Sequence, residues 1–109
     1  MITAEANAMI LQTVVAKTID NIDVISVSNA SGEIFRKQPQ SVESISNAEK
    51  KFTFYLTEDE AIDTIVKFSL YGDGATTTLG TGLEMVTQAV NIVKTNTQSL
   101  LVVWTLKVI

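Results

Sequence analysis

A chain of 109 residues with eight basic and twelve acidic side chains has the size of one domain, and its net charge of −4 does not suit a nucleic-acid partner. The absence of cysteine and histidine excludes disulfides, thiolate metal sites and the commonest general base. An apolar fraction of 46% with 18% charged residues is typical of a folded globular protein.

Residues 3–17 are predicted to form the one α-helix of the chain. Thr3 can serve as its N-cap, and Lys17 falls at the negative end of the helix dipole. Apolar residues recur at helical spacing, and the stripe consists of Ala6, Met9, Ile10 and Val14, broadened by Leu11 and Val15. No positive region precedes an apolar stretch, and no apolar run is long enough for a membrane span, so neither a secretory signal nor a membrane partner is expected.

Residues 19–109 are predicted to form a β-rich body of about six strands. Asp23–Ser28 and Glu33–Lys37 flank a turn-forming cluster and predict a hairpin. The polar stretch 38–50 contains Pro39, which is typical of an edge or a loop, and its only large apolar anchors are Val42 and Ile45.

Two alternating segments follow this stretch. Lys51–Leu56 places Phe52, Phe54 and Leu56 on one face, and residues 62–71 place Ile62, Thr64, Val66, Phe68 and Leu70 on one face. Between them, residues 57–60 have the spacing of a helix-capping box, but an acidic loop is favoured because the strand pattern resumes at once.

The last strand, Leu100–Ile109, is apolar on both faces. It follows a Gly- and Thr-rich connection, Tyr71–Gly82, another β-type run, Leu83–Val93, and a turn at residues 94–97. A strand that is apolar on both faces has to be covered on both sides, either by a second layer or by a neighbouring subunit.

These elements predict a mainly β fold, an antiparallel β-sandwich or barrel-like sheet with one N-terminal α-helix, in a single domain spanning residues 1–109. The connections are too short for helical crossovers, so the strands should be mostly antiparallel. The predicted core consists of Val24, Ile34, Phe52, Phe54, Leu56, Val66, Phe68, Leu70, Leu100, Val102, Trp104 and Leu106.

No segment carries a convincing catalytic, cofactor or metal site, so the chain is predicted not to be an enzyme and to need no cofactor. The connection 71–82 lacks the Gly-Lys-Ser/Thr ending of a phosphate loop. The acidic cluster Glu58, Asp59, Glu60 and Asp63 lacks the ligand spacing of a calcium loop and is interpreted as a solvated loop. Tyr55 and Tyr71, which fall opposite the core aromatics, are candidates for a contact surface.

The second half of the chain resembles small structural proteins from the tail and baseplate region of tailed phages and prophages. The resemblance covers residues 33–109, and the matching stretches are Phe52–Leu56, Ile65–Gly74, Gly80–Gly82, Val93–Leu100 and Val103–Leu106. Arg36 is similar to an Arg that ends an extended segment in those proteins. The glycine-rich opening common in those proteins is missing here. The resemblance implies a non-enzymatic building block, present in several symmetric copies.

The leading hypothesis is therefore a virion structural component of a tail, baseplate, fibre or neck region that acts through self-association. Its expected partners are further copies of itself, in a ring more readily than a dimer, and other virion structural proteins, with localisation in the virion. The alternative is a β-sandwich binding module that recognises a carbohydrate or a host receptor, which would need exposed aromatic residues beside polar groups.

Overall fold

The computed structural model describes residues 7–15 and 22–108, and it folds them into two four-stranded β-sheets. None of these residues is helical. The strands are β1 (Asn7–Val15), β2 (Ile22–Asn29), β3 (Gly32–Lys37), β4 (Ser41–Ser46), β5 (Glu49–Leu56), β6 (Asp63–Gly72), β7 (Leu83–Lys94) and β8 (Leu100–Val108). Sheet A has the strand order β1-β8-β5-β4, and sheet B has the order β3-β2-β6-β7.

The predicted mainly β sandwich agrees with this architecture, but the predicted helix at residues 3–17 is wrong. Residues 7–15 form β1, which pairs in parallel with β8 over its whole length, from Asn7 opposite Leu100 to Val15 opposite Val108. Every other strand pair is antiparallel. The remaining residues of the predicted helix lie outside the described ranges. Because β1 has apolar residues on both faces, their spacing fits the period of a helix as well as that of a strand. The pairing with β8 is what makes this segment a strand.

The core lies between the sheets and takes its largest side chains from β5 and β8. Phe52 and Phe54 alternate with polar residues along β5, and their stacked rings lie 6.4 Å apart at the centroids. Trp104 is opposite Phe52 on β8 and is fully buried. Its indole Nε1–H donates to the Thr13 hydroxyl of β1 at 3.0 Å, so the buried polar atom of the indole is satisfied.

Ten of the twelve predicted core residues are buried, and the two exceptions, Ile34 and Val66, lie beside irregularities of the strands. Ile34 is the extra residue of a β-bulge, because Val27 is opposite Phe35 while the next residue, Ser28, is opposite Glu33. In β6 the register shifts between Ile65 and Lys67, and Ile65 takes the core position instead of Val66. A strict period of two cannot anticipate either shift.

The polar stretch 38–50 is not a loop anchored in the core. Its residues 41–46 form β4, an edge strand whose six residues are all exposed. Val42 and Ile45 are 48% and 51% exposed, so the prediction that they act as anchors is wrong. The Pro39 signal for an edge is correct, because β4 pairs only with β5.

Replacing Trp104 with Ala should lower the free energy of unfolding by about 3–5 kcal/mol, because it leaves a cavity between the sheets. Urea unfolding followed by circular dichroism measures the change. Val93→Ala is the control, since Val93 is 65% exposed on β7, and it should change stability by less than about 0.5 kcal/mol. Equal effects of the two substitutions would contradict the buried position of Trp104.

Thr13→Val should cost about 1–3 kcal/mol in unfolding free energy, because it leaves the Trp104 indole N–H buried without an acceptor. The substitution keeps the shape of the side chain and favours a strand. Thr105→Val on the opposite face of β8 is the control and should be nearly neutral. A neutral Thr13→Val variant would show that β1 does not pair with β8 in solution.

Candidate functional site

The outer face of sheet A carries apolar side chains that no described element covers. β1 contributes Ile10 and Val14, which are 71% and 60% exposed. β8 contributes the half-buried Leu101 and Val103, and Val103 is opposite Ile10 across the parallel pair. Tyr55 of β5 is opposite Leu101 and continues the surface. We name these five residues the sheet A face. Clustered exposed apolar side chains of this kind mark interaction sites.

Charged residues lie beside the sheet A face and cancel one another. Lys51 and Glu43 form an exposed ion pair at 3.2 Å, and Glu49 lies opposite Lys107 across the β5–β8 pair. These four residues carry two positive and two negative charges. The surface is therefore locally neutral on a chain whose net charge is −4.

The outer face of sheet B is polar and is organised by Arg36. Ser26 and Ser28 alternate onto this face, and their partners across β2–β3 are Arg36 and Glu33. Residues three apart on a regular strand point to opposite faces, so the bulge at Ile34 is what brings Glu33 and Arg36 together. Arg36 is 3% exposed and pairs with Glu33 through two of its nitrogens.

The connection between β6 and β7 folds over this polar face and is fixed there by Arg36. The guanidinium donates to the carbonyl oxygens of Thr76 and Thr81 at 3.0 and 2.8 Å, and Glu33 accepts a hydrogen bond from the Gly80 amide. Gly82 is required because its φ is +74° and a Cβ there would lie 2.4 Å from the Cβ of Ala75. Glycine in this connection thus permits the backbone conformation of a loop that is fixed onto sheet B, and it is not the mark of a phosphate site.

Hydrogen bonding determines the ionisation of Glu33. Burial raises the pKa of its carboxyl, but hydrogen bonds from Arg36, Ser26 and the Gly80 amide outweigh burial and leave the pKa below its ordinary value of 4.5. The carboxylate form is therefore the one that the folded chain stabilises.

The acidic segment after β5 forms a turn, as the sequence predicts. Glu60 accepts hydrogen bonds from the Thr57 amide at 2.8 Å and from Lys37 at 2.6 Å, which reproduces one bond of a capping box without a helix. Lys94 donates to the Thr57 carbonyl at 2.7 Å, and burial lowers the pKa of this lysine. Asp63 accepts from Asn29 at 3.0 Å. The turn is thus tied to β2, β3 and β7.

A groove of about 230 Å³ opens between the edges of the two sheets. Met9 of β1, Ile92 and Val93 of β7 and Leu100 of β8 give it a mainly apolar lining. Ser99 lies at its end, and the hydroxyl of this residue is buried with no partner among the described atoms. Lys94 and Gln98 complete the lining, and the Lys94 ammonium is already bound to the Thr57 carbonyl.

The remaining candidates from the sequence do not come together in the part of the chain that the structure describes. Among the described residues, no three Asp or Glu side chains lie close enough together to bind a metal ion. Tyr55 and Tyr71, the candidate contact residues, lie on opposite sheets and do not form one surface. In the described ranges, no helix is long and apolar enough to cross a membrane.

The sequence pattern missed two features of these surfaces. Ile10 and Val14 were assigned to a helix, so their place on the sheet A face was not anticipated. Arg36 was singled out only by resemblance, because the bulge that pairs it with Glu33 leaves no signal in the residue types. No family model matches the chain, and no curated protein or solved structure is significantly similar to it.

Glu33→Gln should lower the free energy of unfolding by about 2–3 kcal/mol at about pH 7, since it removes the negative partner of a buried guanidinium. A carboxyl whose folded pKa is lowered stabilises the protein above pH 4.5, and this contribution disappears as the pH falls through the folded value. The difference between wild type and variant should thus shrink at about pH 3.

Urea unfolding at the two pH values measures this difference. Glu43→Gln is the control, because Glu43 is 63% exposed in its ion pair with Lys51, and it should cost less than about 1 kcal/mol at both pH values. A Glu33→Gln effect that is the same at both pH values would contradict the role assigned to the carboxylate.

Proposed function

We propose that the protein is a non-enzymatic structural component of a phage or prophage virion that acts through self-association of the sheet A face. The observation that carries self-association is the exposure of Ile10 and Val14 beside Leu101 and Val103 on one sheet face. The virion role rests on the resemblance of residues 33–109 to phage structural proteins. Exposed apolar side chains on a sheet gain free energy when another surface removes them from water.

Charge favours a second copy of this chain as the partner. Two copies that each carry a net charge of −4 repel one another, so their contact is least unfavourable where the surface is neutral. The two lysines and two glutamates beside the sheet A face meet this condition.

The edges of sheet A support a closed assembly. β1 and β4 each have a neighbour on one side only, and all six residues of β4 are exposed. Unpaired strand edges promote pairing with other chains unless they are covered. Because β1 and β4 are different edges, a contact between β1 of one copy and β4 of the next is heterologous and can close into a ring. We propose such a ring within a tail, baseplate, fibre or neck structure.

Val14→Lys should convert the oligomer into smaller species and weaken association at least tenfold, about 1.4 kcal/mol, because it buries an unpaired charge at the contact. Sedimentation velocity at micromolar concentration measures the species present. Val93→Lys is a matched control, since Val93 is also a valine on an edge strand and has similar exposure, 65% against 60%.

The control variant should associate like the wild type, and circular dichroism should show unchanged strands in both variants. A monomeric wild-type protein at micromolar concentration would overturn self-association. Loss of assembly in Val93→Lys alone would place the contact on β7. The virion assignment has its own test, because the protein should be present at a fixed copy number in purified particles by mass spectrometry.

A further inference from the structure

A shallow pocket of about 440 Å³ lies on the outer face of sheet B, away from the sheet A face. The β2–β3 turn, residues 28–32, forms one wall, and Val66, Lys67 and Tyr71 of β6 form the other. Val66 is available here because the register shift in β6 excludes it from the core. The volume falls within the range of small-molecule sites.

The charged groups around the pocket are neutralised by partners from the chain itself. Glu33 pairs with Arg36, and Lys67 lies 3.3 Å from Glu84. An anionic or cationic ligand would therefore have to displace an existing ion pair. A neutral ligand would not, so the electrostatics favour an uncharged molecule.

Several hydrogen-bonding groups of the pocket remain unused. Among the described atoms, the hydroxyls of Ser28, Ser31 and Tyr71 have no partner. The Lys67 ammonium has three donors and contacts one carboxylate. Asn29, in contrast, is engaged within the chain: its Oδ1 accepts from the Ser31 and Gly32 amides, and its Nδ2 donates one hydrogen bond to Asp63. The turn is thus rigid, and the free groups around it are mostly hydroxyls that both donate and accept.

Tyr71 supplies a fixed aromatic surface beside these hydroxyls. The Arg36 guanidinium lies over its ring, 4.1 Å from the centroid, and fixes the orientation of the ring. Burial raises the pKa of the Tyr71 hydroxyl, so this group remains a neutral donor. The guanidinium covers one face of the ring, so the part of the ring that remains exposed forms, with Val66, the apolar part of the pocket lining.

We propose that this pocket binds a neutral saccharide of one or two rings. A sugar presents C–H groups on the faces of its ring and hydroxyls around its edge, which matches an aromatic and aliphatic patch surrounded by hydroxyls and an ammonium. The site is shallow, so binding is weak for one copy and gains strength when several copies bind the same surface.

Saturation-transfer difference NMR tests this proposal on the intact protein, whatever its oligomeric state. The probes are glucose, galactose, mannose, N-acetylglucosamine and their disaccharides, with inorganic phosphate as the anionic probe. At least one neutral sugar should show saturable transfer. Lys67→Gln should raise its dissociation constant roughly fivefold or more, because a charged donor is lost.

Lys51→Gln is the matched control for Lys67→Gln. The two lysines have nearly equal side-chain exposure, 41% and 42%, and each has a glutamate at a similar distance, 3.2 and 3.3 Å. The control should leave sugar binding unchanged. Tyr71→Phe, which keeps the ring on Arg36, should weaken binding by roughly twofold to tenfold.

Three outcomes would overturn the proposal. They are the absence of saturable transfer to every neutral sugar, equal binding by the wild type and Lys67→Gln, and binding of phosphate in place of sugars. The test is independent of self-association, because Val14→Lys, which alters the sheet A face, should bind sugar as the wild type does.

Discussion

The requirement to cover β8 on both faces governs the structure. Its inner face carries Trp104 and three further buried residues, and sheet B covers these across the core. Its outer face carries Leu101 and Val103, and no described element lies over them, since Ile10 beside them is 71% exposed. The described chain therefore covers the inner face of β8 and leaves the outer face exposed. This exposed outer face is the physical reason for proposing that identical copies associate.

In sheet B, the corresponding constraint is the burial of a charged side chain, Arg36, on a sheet face that the β6–β7 connection covers. The bulge at Ile34 aligns Glu33 with Arg36, and the β6–β7 connection supplies two carbonyl acceptors for the Nη1 hydrogens of the guanidinium. Each buried donor of Arg36 that is described has an acceptor, as burial of a charge requires. The same arrangement orients Tyr71, so a stabilising network and a candidate ligand surface share one residue.

The sequence predicts the parts of this fold that have a single periodic interpretation. β5 and β8 alternate without interruption, and their buried residues were named correctly. β1 was mistaken for a helix because Met9, Ile10 and Val14 fit both periods, and only the partner strand distinguishes them. The bulge at Ile34 and the shift beside Val66 depend on cross-strand register, which residue types do not encode locally. For that reason neither the Arg36 network nor the pocket beside Tyr71 was foreseen.

The parallel pairing of β1 with β8 has a consequence for the timing of assembly. The hydrogen bond from Trp104 to Thr13 joins residues 91 positions apart, so sheet A remains incomplete until nearly all of the described chain has been synthesised. The strands of sheet B are joined by earlier segments and can pair first. Because Ile10 and Val14 come from the first strand and Leu101 and Val103 from the last, a nascent or truncated chain cannot present the sheet A face. The self-association that we propose would therefore require a chain that extends through β8.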